Sequence, residues 1–289
     1  MGAIIIDGKM VAAKQVKEVR ERAERLKGRG INPCLAVILV GEDPASLSYV
    51  KGKQKTLIEA GMEGKDIRLP QTTTEEELLS LIASLNADEK VHGILVQLPL
   101  PSHIREEAII SAIDPRKDVD CFHPVSLGKL LQGQPGFLPC TPQGVVVLLQ
   151  EYKIPLSGSH AVVVGRSNIV GKPLASLLAR RELNATVTLC HTGTKDLPSH
   201  TLRADILIAA CGKPCLIRGD MVKKGAAVID VGVNRVPDSS AKNGYRLVGD
   251  VNFDEAVEAA GWITPVPGGV GPMTIAMLMR NVVLAAENR

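Results

Sequence analysis

The fold is decided by one segment, His160-Ala-Val-Val-Val-Gly165-Arg-Ser-Asn-Ile-Val-Gly171-Lys-Pro-Leu-Ala-Ser-Leu-Leu-Ala179. An apolar strand enters a loop bracketed by two glycines and continues into a helix with Pro173 near its first turn. This order places free backbone N–H groups and a helix N-terminus at the carboxyl end of a strand, where both stabilise a pyrophosphate. Ser167 stands where the usual motif has its middle glycine, so an ordinary β–α turn is the alternative. We predict a dinucleotide-binding turn.

The end of the next strand predicts which dinucleotide binds. The strand ends at Cys190 and continues as His191-Thr-Gly-Thr-Lys195, without the Asp or Glu that an NAD site uses to hold the ribose hydroxyls. Arg166 in the loop and Lys195 nearby would attract a 2′-phosphate that no carboxylate repels. Charge therefore favours NADP over NAD, unless Arg166 only contacts solvent.

Apolar strands and amphipathic helices alternate along the whole chain. Strands that are apolar throughout are typical of parallel sheets covered on both faces, so the pattern predicts the α/β class. The predicted strands are 35–40, 93–98, 161–164, 186–190, 205–210 and 227–231. The predicted helices are 10–27, 44–60, 75–85 and 274–287. A capping box between Thr74 and Glu77 is expected to begin the third helix.

Two irregular segments divide the chain. Residues 113–142 are rich in proline and predict a long functional loop or an interdomain connection, with a domain boundary near its end. Residues 262–272 precede an apolar helix that we expect to pack back on the first domain. The 289 residues suit two domains of ordinary size. We predict a first domain of residues 1–143 with the C-terminal helix 272–289, and a Rossmann-like domain of residues 144–271.

Composition excludes several classes of protein. A net charge of +3 is too mild for nucleic-acid binding, and 2% aromatic residues provide no stacking platforms for single strands. The six cysteines include no C-x-x-C pair, which indicates reduced, buried thiols and no metal site. We see no apolar run near the roughly 18 residues of a membrane span, no charged n-region, and Ile6 where a myristoylation signal needs Ser or Thr. A soluble cytoplasmic enzyme is expected.

Four polar residues are candidates for chemistry. Tyr49 and Lys53 are four apart and share one face of the predicted helix 44–60. Burial favours the neutral form of a lysine, which can then exchange protons, although solvated surface groups are the alternative. Gln97 interrupts an apolar run near a strand's carboxyl end, where α/β sheets bind ligands. Asp118 and Asp120 begin the long loop, where a simple turn with a solvated acid is the alternative.

Together these segments resemble the bifunctional methylenetetrahydrofolate dehydrogenase/methenyltetrahydrofolate cyclohydrolase family. The resemblance covers essentially the whole chain in order, and its last segment is the most specific. The segments are Tyr49-Val-Lys-Gly-Lys53, Val96-Gln-Leu-Pro-Leu-Pro101, Lys117-Asp-Val-Asp120, Pro139-Cys-Thr-Pro142, Val164-Gly-Arg-Ser-Asn-Ile-Val-Gly171 and Pro265-Val-Pro-Gly-Gly-Val-Gly-Pro-Met-Thr274. The resemblance implies tetrahydrofolate derivatives as substrates, NADP as cofactor, folate in a cleft between two domains, and a homodimer formed through the nucleotide domains.

The resemblance also implies roles for individual residues. Lys53 is then the central catalytic group, with Tyr49 beside the folate rings, Gln97 holding the lysine and Asp120 binding the pterin edge. The implied substrate-binding residues further include Val96, Leu98, Pro99, Pro267, Gly268, Gly269, Val270 and Gly271. The implied cofactor-binding residues are Gly165, Arg166, Ser167 and Thr192 at the phosphates and Val233 on the nicotinamide side. Cys121 stands where the family usually has glycine, which puts the conformation of the Asp120 loop in question.

The implied chemistry assigns a task to the lysine. Hydride transfer from the methylene carbon to NADP needs no acid or base, but hydrolysis of the resulting methenyl cation needs a proton to move. Lys53 would move it, and the neighbouring cation favours a neutral amine for part of the cycle. A dehydrogenase on the same scaffold for another small substrate and a catalytically silent NADP-binding module remain alternatives. The first does not require Lys53 together with Gln97 and the Pro-Gly-Gly-Val-Gly-Pro segment that ends at Pro272. The second has no use for the set of Tyr49, Lys53, Gln97 and Asp120.

Overall fold

The computed structural model describes residues 2–134, 136–241 and 244–288, apart from the side chains of Pro44, Ala45 and Ser48. The chain divides into two compact units. The first unit comprises residues 13–140 and 275–289, and the second unit comprises residues 1–12 and 141–274. Each unit contains its own parallel sheet, which confirms the predicted α/β class.

Strands and helices alternate along the described residues as the apolar pattern predicts. In chain order the elements are β1 (Ile4–Ile5), α1 (Gly8–Lys27), β2 (Cys34–Val40), α2 (Pro44–Glu59), β3 (Glu63–Leu69), α3 (Glu75–Ala87), β4 (Gly93–Val96), α4 (Glu106–Ala112), α5 (Pro124–Gln132), α6 (Cys140–Glu151), β5 (His160–Val164), α7 (Gly171–Leu178), β6 (Thr186–Cys190), α8 (Leu197–Thr201), β7 (Ile206–Ala209), β8 (Ala227–Asp230), β9 (Asn234–Pro237), β10 (Tyr245–Val248), α9 (Phe253–Ala259), β11 (Trp262–Ile263) and α10 (Val270–Glu287).

The first unit is built on a three-stranded parallel sheet in the order β3-β2-β4. All seven residues of the central strand β2 are buried, as its uninterrupted apolar sequence requires. Helix α3 begins with the predicted capping box, in which Thr74 Oγ1 accepts a hydrogen bond from Glu77 N and the Glu77 carboxylate accepts one from Thr74 N. The buried residues Leu78 and Ile82 of α3 join the apolar core against this sheet.

The second unit contains a six-stranded parallel sheet in the order β1-β11-β8-β7-β5-β6, together with the antiparallel hairpin β9–β10. The last residues of four neighbouring strands lie in register: Val164 pairs with Cys190 and with Ala209, and Ala209 pairs with Asp230. The loops that follow β5, β6, β7 and β8 therefore leave the sheet side by side at one edge. This edge is where open α/β sheets bind ligands.

The N-terminal residues belong to a different unit from the one that we predicted. Residues 1–12 lie in the second unit, although we expected them with residues 13–143. The reason is backbone pairing: β1 adds to the edge of the six-stranded sheet, with Ile4 opposite Trp262 and Ile5 opposite Ile263.

Helix α10 contributes its residues from Ile275 onward to the first unit, in accord with the expectation that the C-terminal helix packs on the first domain. It begins at Val270 and therefore includes the end of the stretch expected to be irregular. By length and composition alone this helix could cross a membrane, contrary to our expectation that no segment could. Most of it is buried in the fold, as is typical of the core helix of a soluble protein.

The proline-rich stretch 113–142 is not a continuous loop. Helix α5 begins there with Pro124 at its first position and with His123 Nδ1 accepting a hydrogen bond from Val125 N. It ends at Gln132 and is followed by Gly133, which has a left-handed φ of 68°. Proline at the first helical position and glycine just past the end are ordinary helix boundaries, so these residues delimit a short helix.

Candidate active site

A buried lysine and a glutamine meet in the first unit. Helix α2 is started by Asp43, whose Oδ2 accepts a hydrogen bond from Ser46 N at 2.7 Å. Lys53, in the third turn, is 7% exposed and its Nζ donates a hydrogen bond to Gln97 Oε1 at 3.0 Å. Gln97 directly follows β4, and its Nε2 donates to Leu98 O at 2.8 Å. This second bond orients the amide so that its oxygen faces the lysine.

Tyr49 lies one helical turn before Lys53 and is 43% exposed. Its ring is therefore available to a ligand near the amine, as the four-residue spacing predicts. The neighbouring Lys51 and Lys55 are exposed, and Lys55 pairs with Glu59 at 3.8 Å. Of the three lysines of this segment only Lys53 is buried.

The two aspartates of Lys117-Asp-Val-Asp120 have different environments. Asp118 is 3% exposed and accepts hydrogen bonds from Phe122 N at 3.1 Å and His123 N at 2.9 Å. Burial raises the pKa of the Asp118 carboxyl, while those hydrogen bonds and one from the Ser126 side chain oppose the rise. Asp118 therefore stabilises the turn that leads into α5. Asp120 is only half-buried, which leaves it as the carboxylate that a ligand can reach.

The buried Cys140 thiol is influenced by the charges of both Asp120 and Lys53. Burial raises the pKa of the Cys140 thiol well above its usual value; the Asp120 carboxylate raises it further, and the Lys53 charge lowers it. The thiol stays protonated, and its Sγ donates a hydrogen bond at 3.4 Å to the backbone oxygen of Val119, the residue before Asp120. The sequence analysis assigned no role to Cys140, although the residue lies in the quoted segment 139–142.

Asn281 is a second residue that the sequence analysis missed. It lies on α10, is 1% exposed, and its Nδ2 donates to Val119 O at 2.8 Å and Leu138 O at 2.9 Å. It thus joins the residue before Asp120 to the segment that leads into Cys140. The available signal was an amide, next to Arg280, in a largely apolar stretch of helix, since a buried amide needs hydrogen-bond partners.

Cys121 adopts a backbone conformation that is usual for glycine. Its φ is 61°, in the left-handed region that favours glycine. Its side chain is fully buried, and the Sγ donates a hydrogen bond to Phe137 O at 3.2 Å. The loop therefore adopts a glycine-like conformation with a cysteine, at a local cost of about 1–2 kcal/mol.

The remaining substrate-binding candidates lie in two places. Val96 is the buried last residue of β4, and Leu98 and Pro99 follow Gln97 directly, so these three lie in the first unit beside the glutamine. The candidates from Pro267 to Gly271 belong to the second unit, where the first three lie between β11 and α10 and Val270 and Gly271 begin α10. Pro267 is exposed, and Gly268 and Gly271 are half-buried.

The predicted dinucleotide-binding turn joins β5 to α7. Gly165 has a φ of 128°, and a Cβ there would lie 2.0 Å from Ala210 O, so the turn can pass the end of β7 only without a side chain. Ser167 Oγ accepts hydrogen bonds from Val170 N at 3.1 Å and Gly171 N at 3.3 Å. The serine therefore satisfies the first N–H groups of the helix from inside the loop.

Charge and exposure around this turn suit a phosphorylated dinucleotide. Arg166 is exposed and makes no ion pair within the described residues. Thr192 and Lys195 are exposed on the loop after β6. Asp196, the first carboxylate past this strand, accepts a hydrogen bond from Ser199 N and caps α8. Val233, 43% exposed, follows the end of β8 at the same sheet edge.

The cysteines and acidic residues show no metal centre: within the described ranges, no group of three or more His, Cys, Asp or Glu side chains could hold an ion. All six cysteines are free, and four of them are buried. The prediction of buried thiols is wrong for Cys215, which is exposed.

A parallel sheet with a glycine-bracketed β–α turn, in a chain that also carries a buried Lys–Gln pair on a separate α/β unit, defines a pyridine-nucleotide-binding α/β enzyme. Residues 6–120 match the model of the tetrahydrofolate dehydrogenase/cyclohydrolase catalytic domain. Residues 139–289 match that of the NAD(P)-binding domain of the same family. The chain belongs to the tetrahydrofolate dehydrogenase/cyclohydrolase family, which confirms the resemblance.

Individual relatives match over nearly the full length. The bifunctional protein FolD of Moorella thermoacetica is 57% identical over 99% of this chain and 100% of its own. The crystal structure of the bifunctional FolD enzyme from Campylobacter jejuni has a TM-score of 0.94 and 51% identity over 99% of both chains. The Trypanosoma brucei FolD enzyme, complexed with NADP cofactor and inhibitor, has a TM-score of 0.95 and 42% identity over 100% of this chain and 98% of that one.

Proposed function

We propose that this chain oxidises 5,10-methylenetetrahydrofolate to 5,10-methenyltetrahydrofolate with NADP and hydrolyses the product to 10-formyltetrahydrofolate. The observation that carries this proposal is the 3.0 Å hydrogen bond from the buried Lys53 amine to Gln97, in a chain whose other half matches an NAD(P)-binding domain. The dehydrogenase and cyclohydrolase activities are both named in the family that the chain belongs to.

The substrate would contact the substrate-binding residues that the family resemblance implies. Asp120, half-buried at the Lys53 site, would accept hydrogen bonds from the pterin edge, and the exposed ring of Tyr49 would lie against the folate rings. The remaining assigned contacts are Val96, Gln97, Leu98, Pro99, Pro267, Gly268, Gly269, Val270 and Gly271.

The cofactor would bind at the carboxyl edge of the six-stranded sheet. Gly165, Arg166, Ser167 and Thr192 would contact its phosphates, and Val233 would contact the nicotinamide. Arg166 and Lys195 supply positive charge for a 2′-phosphate, while Asp196 is engaged in capping α8. We therefore propose NADP over NAD.

The first reaction needs no acid or base from the protein. Bound NADP would supply a hydride acceptor for the methylene carbon between N5 and N10 of the substrate. The task of the chain in this step is to hold the substrate rigidly, through Asp120 and Tyr49, in the orientation that hydride transfer needs.

The second reaction is where Lys53 acts. Water forms a C–O bond to the methenyl carbon, the bond from that carbon to N5 breaks, N5 takes up one proton, and one proton is released. We assign these proton transfers to the Lys53 amine. Its Nζ donates a hydrogen bond to Gln97 Oε1 at 3.0 Å, which holds it in place. A neutral amine can take the proton from the attacking water and return it to the leaving nitrogen.

Replacing Lys53 tests the proposal. We expect Lys53→Met to lose cyclohydrolase activity by about 100-fold or more, the usual size of a general acid–base contribution, and to keep measurable dehydrogenase activity. The methenyl absorbance reports both reactions, because it rises during oxidation and decays during hydrolysis. The matched control is Lys51→Met, two residues away on the exposed face of α2. Hydrolysis by Lys53→Met at the wild-type rate would end the assigned role.

We also propose a cytoplasmic homodimer formed through the second units. Strand β6 supports the dimer, because it forms one edge of the sheet and pairs only with β5 among the described strands; an open edge offers backbone groups to a second copy. Six free cysteines are typical of a reducing compartment. Light scattering tests the assembly: a mass of 30.8 kDa, that of one chain, would contradict it.

A further inference from the structure

Two buried carboxylates in the second unit have no part in the proposed chemistry. Asp230 is 3% exposed and Asp250 is fully buried. Asp230 is the last residue of β8, and Asp250 follows the end of β10. Unpaired buried charge is costly, so the positions of these two side chains need an explanation.

Asp230 binds the backbone on both sides of the loop that begins at its own strand. Its Oδ1 accepts hydrogen bonds from Gly232 N and Asp250 N, both at 2.9 Å. Its Oδ2 accepts a hydrogen bond from Val251 N at 2.9 Å. Asp230 thereby ties the start of the loop after β8 to the end of the hairpin β9–β10.

Asp250 extends these contacts to the neighbouring strand. Its Oδ2 accepts hydrogen bonds from Cys211 N at 2.7 Å and Gly212 N at 2.9 Å, in the loop after β7. Its Oδ1 accepts one from Asn234 Nδ2 at 2.9 Å. The two carboxylates therefore receive five main-chain N–H groups and one side-chain amide.

The residues on either side of Val233 are hydrogen-bonded to the two carboxylates. Gly232 is bonded to Asp230, and Asn234 is bonded to Asp250, so the residue between them has a fixed neighbour on each side. Ala209 and Asp230 pair in the sheet, so the loop containing Cys211 and Gly212 leaves the same edge beside it. From these contacts we infer that Asp230 and Asp250 are positioning residues, which set the backbone at Val233 and at Cys211–Gly212 for the nicotinamide half of the cofactor.

The electrostatics support a role beyond stability. Burial and the nearby Asp250 charge raise the pKa of Asp230 to about 7, against the lowering effect of its backbone hydrogen bonds. Two buried carboxylates are a poor means of stabilising a core, since apolar residues of similar volume are often more stable. They are well suited to holding several N–H groups of separate loops in one geometry.

This inference rests on the proposed NADP site, and its test separates the two halves of the cofactor. We would titrate NADPH and, separately, adenosine 2′,5′-bisphosphate, which carries the adenosine and 2′-phosphate but no nicotinamide. The variants are Asp250→Asn, which removes a charged acceptor, and the milder Asn234→Ala. Asp254→Asn, an exposed aspartate of α9 in the same unit, is the matched control.

We expect Asp250→Asn to bind NADPH at least tenfold more weakly while its affinity for the bisphosphate stays within twofold of wild type. Dehydrogenase kcat/KM should fall at least tenfold, whereas cyclohydrolase activity should stay within twofold. Asn234→Ala should show the same selectivity at about threefold, and it decides the question if Asp250→Asn does not fold. Equal losses for NADPH and the bisphosphate, parallel losses of both activities, or unchanged NADPH affinity would overturn the inference. If wild type binds NADPH but oxidises no methylenetetrahydrofolate, the proposed function fails, and the two titrations still decide this inference.

Discussion

Asn281 offers a perturbation whose size can be worked out from the structure. Asn281→Leu keeps the number and branching of the side-chain heavy atoms and removes the donor that Val119 O and Leu138 O share. Each carbonyl left buried without a donor costs about 1–3 kcal/mol. Val119 O keeps the weaker Cys140 thiol donor and Leu138 is half-buried, so the free energy of unfolding should fall by about 1–3 kcal/mol in total, a substantial part of the roughly 5–15 kcal/mol typical of a folded protein.

The same change should act on the site. Val119 precedes Asp120, and Leu138 leads into Cys140, whose thiol donates a weaker hydrogen bond to Val119 O. Without Asn281 these segments lose the amide that joins them and keep the thiol bond, so we expect the KM for methylenetetrahydrofolate to rise several-fold and the affinity for NADP to stay unchanged.

Urea unfolding followed by circular dichroism measures the change in the free energy of unfolding. Steady-state kinetics measures the KM values for methylenetetrahydrofolate and for NADP. The control is Asn288→Leu, at an exposed position just past the end of α10, where the change should be within about 0.5 kcal/mol. A loss below 1 kcal/mol for Asn281→Leu, or a loss equal to that of the control, would refute the assigned hydrogen bonds.

Three other predictions follow from the site. Arg166→Ala should weaken NADP binding by about 10–100-fold, the size of a lost charge-assisted hydrogen bond, with little effect on NAD; equal losses in a fluorescence titration would exclude a 2′-phosphate contact. Asp120→Ala should weaken folate binding by a similar factor, and unchanged affinity by calorimetry would contradict the pterin contact. Asp230 has a folded pKa of about 7 against an ordinary 3.8, so its contribution to stability is fully present below pH 4 and is lost as pH rises through 7. The free energy of unfolding of wild type relative to Asp230→Asn should thus fall by about 4 kcal/mol across that range. Urea titrations at several pH values measure this difference in free energy. A difference that does not change with pH would show that the pKa of Asp230 is not raised.

Local sequence signals predicted the elements that lie inside the sheets. Strand β2 is apolar throughout, and β5 is apolar from Ala161 to Val164, because these residues are buried on both faces of their sheets. Such a run is visible without any tertiary information. The capping box of α3 was predictable for the same reason, since its partners are only three residues apart.

Two of the strands that were missed lie at sheet edges. Strand β3, Glu-Gly-Lys-Asp-Ile-Arg-Leu, is largely exposed and pairs only with β2 in its sheet, so its sequence carries little apolar pattern. Strand β1 has two residues and both are exposed. Its strand conformation, and with it the grouping of the N-terminal residues in the second unit, depends on pairing with β11, which lies far along the chain.

Sequence alone therefore determined the α/β class, the glycine-bracketed turn, the lack of a carboxylate beside it and the shared helix face of Tyr49 and Lys53. All of these depend on residues within a few positions of one another. Tertiary structure decided which polar groups meet. The bond from Lys53 to Gln97 spans 44 residues, that from Asn281 to Val119 spans 162, and Cys211 meets Asp250 across 39. A buried polar group must find a partner, but its identity depends on how distant segments pack, which no local pattern records.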